Sequence, residues 1–92
     1  MYLEIVTPEA SLVSGEVESV SVPGTDGEFQ MVSNHAAIVS SLQKGKVLFK
    51  GDPTFADGFQ DKFNKEKDGR WSLEINSGTI EMQENKAIIL AD

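Results

Sequence analysis

The chain has 92 residues, the usual size of one domain, and it contains no cysteine, which excludes a disulfide framework and a thiolate metal site. Fifteen acidic residues against eight basic ones give a net charge of −7, a balance that disfavours nucleic-acid binding through phosphate neutralisation. No apolar run reaches the roughly 18 residues that a membrane helix needs, and the first ten residues lack the basic and apolar parts of a signal peptide. We therefore expect a soluble, cytoplasmic chain.

Apolar and polar residues alternate with a period of two in several short runs, and this pattern predicts β-strands. The apolar residues that the alternation places on inner faces, and that we expect to be mostly buried, are Leu3, Ile5, Val20, Val22, Phe29, Leu73, Ile75 and Ile89. In the second run Val17 is out of phase with Val20 and Val22. Because the side-chain period of a strand is two, this slip predicts a β-bulge or a bend near Glu18–Ser19.

Residues that favour tight turns separate these runs. Examples are Asp68-Gly69, Ser77-Gly78 and Glu84-Asn85. Short strands at a spacing of 8–12 residues favour an all-β fold. The sequence therefore predicts a single domain over residues 1–92, an antiparallel β-sandwich of two sheets with roughly eight to ten short strands.

The segment at about residues 51–69 departs from the alternation. Its phenylalanines stand at a spacing of four, which would align them on one face of a helix: Phe55, Phe59 and Phe63. Pro53 suits a helix start, but Gly58 interrupts the run. We therefore predict a long loop or an extended hairpin arm that leads to the turn at Asp68-Gly69, with a short helix as the alternative.

Two features in the turns are candidates for chemistry. His35 is the only histidine, yet Ser33 is near it in sequence alone and no Gly-x-Ser-x-Gly elbow is present, so a turn residue is the preferred interpretation. Asp26 and Glu28 flank Gly27 but have too few further oxygen donors for a calcium loop. The residues thus predict an exposed acidic turn without a metal site, and we expect no catalytic residue.

The residue pattern alone leaves several function classes open. A structural or binding part of a larger assembly fits the small acidic sandwich. A free-standing β-sandwich binding module for a peptide or a carbohydrate would need an exposed Trp71 beside Phe55 or Phe59. A small hydrolase would need an acid or a hydroxyl within hydrogen-bond reach of His35, in a cleft. No phosphate loop is present, so no cofactor is expected.

Five motifs, in order along the chain, resemble those of a known family. They are Leu3 to Pro8, Val13 to Val17, Val20 to Phe29, Asn34 to Ala36, and Ile89 to Asp92. Together they resemble the N-terminal β-sandwich domain of the epsilon subunit of bacterial F-type ATP synthases. The resemblance covers residues 2–50 and 71–92, which makes the segment at about 51–69 an insertion outside the family pattern. Gln30 stands where the family usually has glycine, and Ala37-Ile38 replace its Pro-Leu.

The resemblance implies a rotor subunit of the central stalk that performs no catalysis. Such a subunit couples rotation of the membrane c ring to the gamma subunit during proton-driven ATP synthesis. It is peripheral to the cytoplasmic face of the bacterial inner membrane, without inserting into it. The chain ends at Asp92, before the helical hairpin that normally follows in the family, so no nucleotide binding is expected.

The resemblance also implies two sets of contact residues. The c-ring contact would be formed by Asp26, Gly27 and Glu28. The gamma-subunit contact would be formed by Thr7, Asn34, His35, Ala36 and Ile89.

Overall fold

The computed structural model describes residues 1–92 and consists of ten β-strands with no α-helix. The strands are β1 Tyr2–Val6, β2 Ser11–Gly24, β3 Gly27–Val32, β4 Ile38–Leu42, β5 Gly45–Gly51, β6 Thr54–Phe55, β7 Phe63–Lys65, β8 Trp71–Ile75, β9 Gly78–Gln83 and β10 Lys86–Ala91. A single 3-10 turn covers Gln60–Lys62. The predicted all-β class is confirmed.

Strand β2 joins the two layers of the sandwich because it is long and changes partners along its length. Its first half, up to Glu16, pairs with β1 and β6, whereas its second half pairs with β5 and β3. The register with β5 shifts between Val17 and Ser19, so the predicted bulge is confirmed. One layer is therefore β4–β9–β10–β1–β2, and the other is β3–β2–β5–β8–β7.

The first and the last strands of the chain lie side by side. Their pairing, β1 with β10, is parallel, while the other nine pairings are antiparallel. The antiparallel prediction thus needs a correction at this one pair. Parallel neighbours need a long connection, and here the connection is the whole intervening chain, for which no local turn signal exists.

The core lies between the two layers and contains 20 buried hydrophobic residues. Seven of the eight residues predicted to be buried are at most 5% exposed, and the eighth, Phe29, packs half-buried against the same core. The alternation predicted this set because a strand buries every second side chain when one face is covered.

The segment from Gly51 to Gly69 forms no α-helix. Strand β7 turns back through Asp68-Gly69 and pairs antiparallel with β8, which is the predicted extended hairpin arm. Phe55 and Phe63 meet edge to face with ring centroids 4.8 Å apart, and each also packs against Phe49. The spacing of four among these phenylalanines therefore reflects shared packing against the core, without a common helix face.

Candidate interaction surfaces

The residues Asp26–Glu28, here named the acidic turn, lie at the tip of the β2–β3 hairpin. Gly24 pairs with Gly27, so only two residues form the loop between them. Gly27 has a φ of +123°, which favours glycine. The Thr25 N–H donates to the Ser41 carbonyl (3.1 Å) and fixes the turn against β4. Asp26 and Glu28 are exposed and form no ion pair within the chain, so both carboxylates are free for a cationic partner.

The residues Asn34–Ala36, here named the His35 turn, connect β3 to β4. The His35 N–H donates to the Val32 carbonyl (3.2 Å), and its Nδ1 lies 2.7 Å from the Ala36 carbonyl. The Asn34 N–H donates to the Asn85 side-chain oxygen (2.9 Å), which joins this turn to the β9–β10 turn. The imidazole contacts no carboxylate and no hydroxyl, so the geometry that a hydrolase would need is not present.

The predicted gamma-contact residues do not form one cluster. The His35 turn lies beside Asn85, at the start of β10. Thr7 follows Val6, and Val6 pairs with Leu90 near the end of β10. The length of β1, roughly 16 Å, separates the two positions. Thr7 lies at the same end of its sheet as Ser41, the residue that contacts the acidic turn.

Ile89 belongs to the core and not to the surface. Its side chain is 0% exposed, which corrects its predicted role as a surface contact. Its neighbours Ile88 and Leu90 point outward instead, and Leu90 is 53% exposed. The predicted burial of Ile89 is thus confirmed, and its implied role as a gamma contact is not compatible with that burial.

The outer face of β4, β9, β10 and β1 is an apolar and acidic surface that the sequence analysis did not identify. Val39 is 75% exposed there, and the register places Val39, Glu81, Ile88 and Glu4 in one row across the four strands. Glu81 and Glu4 form no ion pair. Only the full set of strand pairings brings these residues together, since no sequence motif connects them.

Trp71 does not form an exposed aromatic platform. Its ring packs edge to face on Phe55 (5.0 Å between centroids), and the Lys65 Nζ lies 4.3 Å from its ring centroid. The indole Nε1 is buried without a hydrogen-bond partner. The stacking surface that a carbohydrate-binding module would need is therefore already covered by the chain itself.

Charge is unevenly distributed along the chain. Seven of the eight basic residues lie within residues 44–70, and ten of the fifteen acidic residues lie outside that range. The acidic turn and the outer face therefore belong to the acidic part of the protein. Basic side chains concentrate on β5 and on the β7–β8 hairpin.

Two carboxylates hold the β7–β8 hairpin in place. The Ser72 hydroxyl donates to Glu66 (2.6 Å) and lowers the pKa of that carboxyl, and Lys46 lies 3.6 Å from it. The Arg70 N–H donates to Asp68 (3.0 Å) and, with the Arg70 side chain at 2.8 Å, lowers the pKa of that second carboxyl.

The chain has neither a cluster of metal ligands nor a membrane-spanning helix. No group of three or more histidine, aspartate or glutamate side chains lies close enough together to hold a metal ion. The structure contains no helix with the length and apolar character needed to cross a bilayer.

Comparison with known proteins gives a consistent result. Residues 1–57 match the family described as the ATP synthase delta/epsilon chain, beta-sandwich domain. The ATP synthase epsilon chain of Chlorobium limicola is 38% identical over 90 residues, which cover 98% of this chain and 86% of the relative. The epsilon chain of Campylobacter curvus is 38% identical over 92 residues, but this chain spans only 60% of that relative's length.

A solved structure shares the fold. A chain in the structure of the Tetrahymena thermophila mitochondrial ATP synthase central stalk and c ring superposes with a TM-score of 0.66, at 13% sequence identity, over 99% of this chain and 62% of that one. The family match over more than half of the chain and the relatives at 38% identity decide the assignment. The chain therefore belongs to the ATP synthase delta/epsilon chain family, with the β-sandwich domain of that family as its fold.

Proposed function

We propose that this chain is a non-catalytic subunit of the central stalk of an F-type ATP synthase, coupling rotation of the c ring to the gamma subunit during proton-driven ATP synthesis. The observation that carries the proposal is the family membership, supported by relatives named ATP synthase epsilon chain that align along nearly the whole sequence. In this role the chain is peripheral to the cytoplasmic face of the bacterial inner membrane. The choice of protons as the coupling ion rests on the family resemblance.

The construction of the sandwich suits the transmission of torque. Strand β2 runs through both layers without a break, and β10 bonds to β1 along five residue pairs. A close-packed interior has low compressibility and transmits strain. A load applied at one end of such a sandwich therefore reaches the other end with little internal deformation.

The two proposed contact regions lie at opposite ends of β4. The acidic turn contacts Ser41 near the end of β4, and the His35 turn precedes Ile38 at its start, so about four residues, or roughly 13 Å, separate them. We assign the acidic turn to the c ring and the His35 turn to gamma. Thr7 lies at the end of the sheet that faces the ring, so the proposed gamma contact rests on Asn34–Ala36.

Charge supports the assignment of the acidic turn. In the family that the sequence resembles, the polar loops of the c ring carry basic side chains, which exposed carboxylates complement. One exposed ion pair contributes at most ~1 kcal/mol, so the contact with the ring must involve several residues. Neither the binding module nor the hydrolase is favoured by an observation in the structure.

Co-expression with the gamma subunit of the same genome tests this function. We expect the tagged chain to co-purify with gamma, and Ala36→Arg, an exposed change in the His35 turn, to reduce the recovered gamma at least ~10-fold because a bulky cation enters the contact. Thr54→Arg, an exposed change on β6, is the matched control and should leave recovery unchanged. Recovery of gamma with neither the wild type nor the control would refute the proposal.

A further inference from the structure

Strand β3 is an open edge of its sheet. It pairs with β2 along six residue pairs and with no other strand. Exposed edges recruit other strands, so proteins usually shorten them, place lysine or proline in them, or bend them with a bulge. Strand β3 has six residues, Gly27–Val32, with no lysine or proline, and its register with β2 has no shift. The opposite edge strand, β7, has only three residues and ends in Lys65.

The register identifies which backbone groups of β3 are free. In an antiparallel pair, alternate residues direct both N–H and C=O toward the partner strand. Pro23, opposite Glu28, directs its carbonyl away from β3 and accepts from the Gln43 N–H (2.8 Å). The backbone groups of Pro23 and Glu28 therefore point away from each other, and the same holds for every second pair along the two strands. The residues of β3 whose backbone groups face the open side are Glu28, Gln30 and Val32. The Val32 carbonyl accepts from the His35 N–H, and the other free groups have no partner within the chain.

The side chains along this edge fit an extended partner with a particular pattern. Glu28, Gln30 and Val32 are exposed on the same face, and Val32 is 54% exposed. An apolar residue of the partner would cover Val32, whereas the Glu28 side chain projects from the face of the sheet, so backbone pairing at the edge leaves its carboxylate free for the c ring. The strand begins in the acidic turn and ends at the His35 turn, so an added strand is continuous with the proposed gamma contact.

We propose that the open edge of β3 accepts an extended segment of the gamma subunit, which adds to the sheet through backbone hydrogen bonds to Glu28, Gln30 and Val32. This inference rests on the proposed function, since the His35 turn is the gamma contact there. The last outward carbonyl of β3, that of Val32, already accepts from the His35 N–H. The added strand therefore ends at the His35 turn. Backbone pairing supplies binding energy that does not depend on side chains, and the Val32 contact fixes the register.

Two measurements on the complex of the full chain with gamma test the edge. The first is amide hydrogen exchange, in which the amides of Glu28, Gln30 and Val32 should exchange fast in the free chain and slowly in the complex. The amides of Phe29 and Met31 bond to β2 and serve as internal controls that are protected in both states.

The second measurement compares two substitutions of Gln30. Proline is tolerated in an edge strand where its nitrogen faces solvent, so Gln30→Pro preserves the ladder with β2 but removes an outward N–H and puts a ring on the open edge. We expect Gln30→Pro to weaken gamma binding at least ~10-fold, and Gln30→Ser, which keeps the N–H, to bind within about twofold of wild type.

The outcomes separate this inference from the proposed function. A complex that forms without new protection at Glu28, Gln30 and Val32 overturns the edge inference and leaves the function intact. Should Gln30→Pro fail to fold, the exchange pattern of the wild-type complex still decides. Failure of gamma to bind at all overturns both. A dimer of the free chain with these same amides protected makes a second copy the occupant and overturns the choice of gamma.

Discussion

Individual residues with unusual backbone conformations fix the turns that carry the proposed contacts. Asn34 and Asn85 both have positive φ angles, 68° and 60°, and a hydrogen bond of 2.9 Å joins them. Asparagine tolerates this conformation better than most residues. Gly51 has a φ of +142°, and a side chain there would come within 2.9 Å of the Val17 Cα, at the bulge where β2 passes between the layers. The bend of β2 thus depends on a glycine on the neighbouring strand.

We expect Gly51→Ala to destabilise the fold by about 2 kcal/mol or more, because backbone strain and a backbone clash add together. Gly58→Ala is the matched control, with a φ of +85° but open space around the new Cβ, and should cost about 1 kcal/mol. Urea unfolding of both variants measures the difference. Equal losses would mean that the close approach of β5 to Val17 does not constrain the bulge.

At the scale of elements, the β7–β8 hairpin completes the second sheet. Phe63 and Phe55 pack against Phe49 from one side, and Trp71 packs against Phe55. On the outer side, Glu66 bridges Ser72 and Lys46 and so connects β5, β8 and the hairpin turn. Aromatic packing and a polar bridge therefore hold the hairpin from opposite faces.

This bridge predicts a pH dependence of stability. The pKa of Glu66 is below its ordinary value of 4.5, mainly because the Ser72 hydroxyl donates to it. A carboxyl whose pKa is lowered by folding stabilises the fold above its unfolded pKa and loses that contribution as the pH falls through the folded value. The melting temperature should therefore fall below about pH 4.5, and Ser72→Ala should flatten that decline.

Thermal melts between about pH 6 and pH 3 measure the effect of Ser72→Ala. Ser19→Ala is the control, because the Ser19 hydroxyl bonds no carboxylate. We expect the difference in melting temperature between wild type and Ser72→Ala to shrink as the pH falls. A difference that stays constant with pH would remove Glu66 as its cause.

At the scale of the whole molecule, the two proposed contact regions lie at opposite ends of β4, in a sandwich whose charge is also divided. The acidic turn and the outer face carry unpaired carboxylates, while basic residues concentrate within residues 44–70. An electrostatic contact of this kind speeds docking and sets orientation more than it adds affinity, and salt weakens it. The acidic turn is therefore best tested in the assembled synthase.

Glu28 is the residue for that test. Since Glu28 is exposed at a hairpin tip, Glu28→Ala should change folding stability by no more than about 0.5 kcal/mol. Glu28→Lys should reduce proton-coupled ATP synthesis by the reconstituted complex at low salt, because it opposes the basic loops expected on the ring, and higher salt should partly restore synthesis.

Because Glu28 also lies on the β3 edge, gamma binding of both Glu28 variants is measured in parallel. Full coupling by Glu28→Lys at low salt would show that the acidic turn is not a ring contact. A large loss of stability in Glu28→Ala would instead make Glu28 a structural turn residue.

The sequence by itself determined the β class, most of the core, the bulge in β2 and the exposed acidic turn. These features are local, since the period of two, an out-of-phase valine and glycine-flanked turns act within a few residues. Only the tertiary structure decided the parallel pairing of β1 with β10, because strands at the two ends of the chain share no turn that could encode their register. It also decided that Leu90 is exposed at 53% and that Thr7 lies far from His35. Neighbouring strands decide which face of an apolar strand meets the solvent. They also decide which residues meet across strands, and a sequence does not state which strands become neighbours.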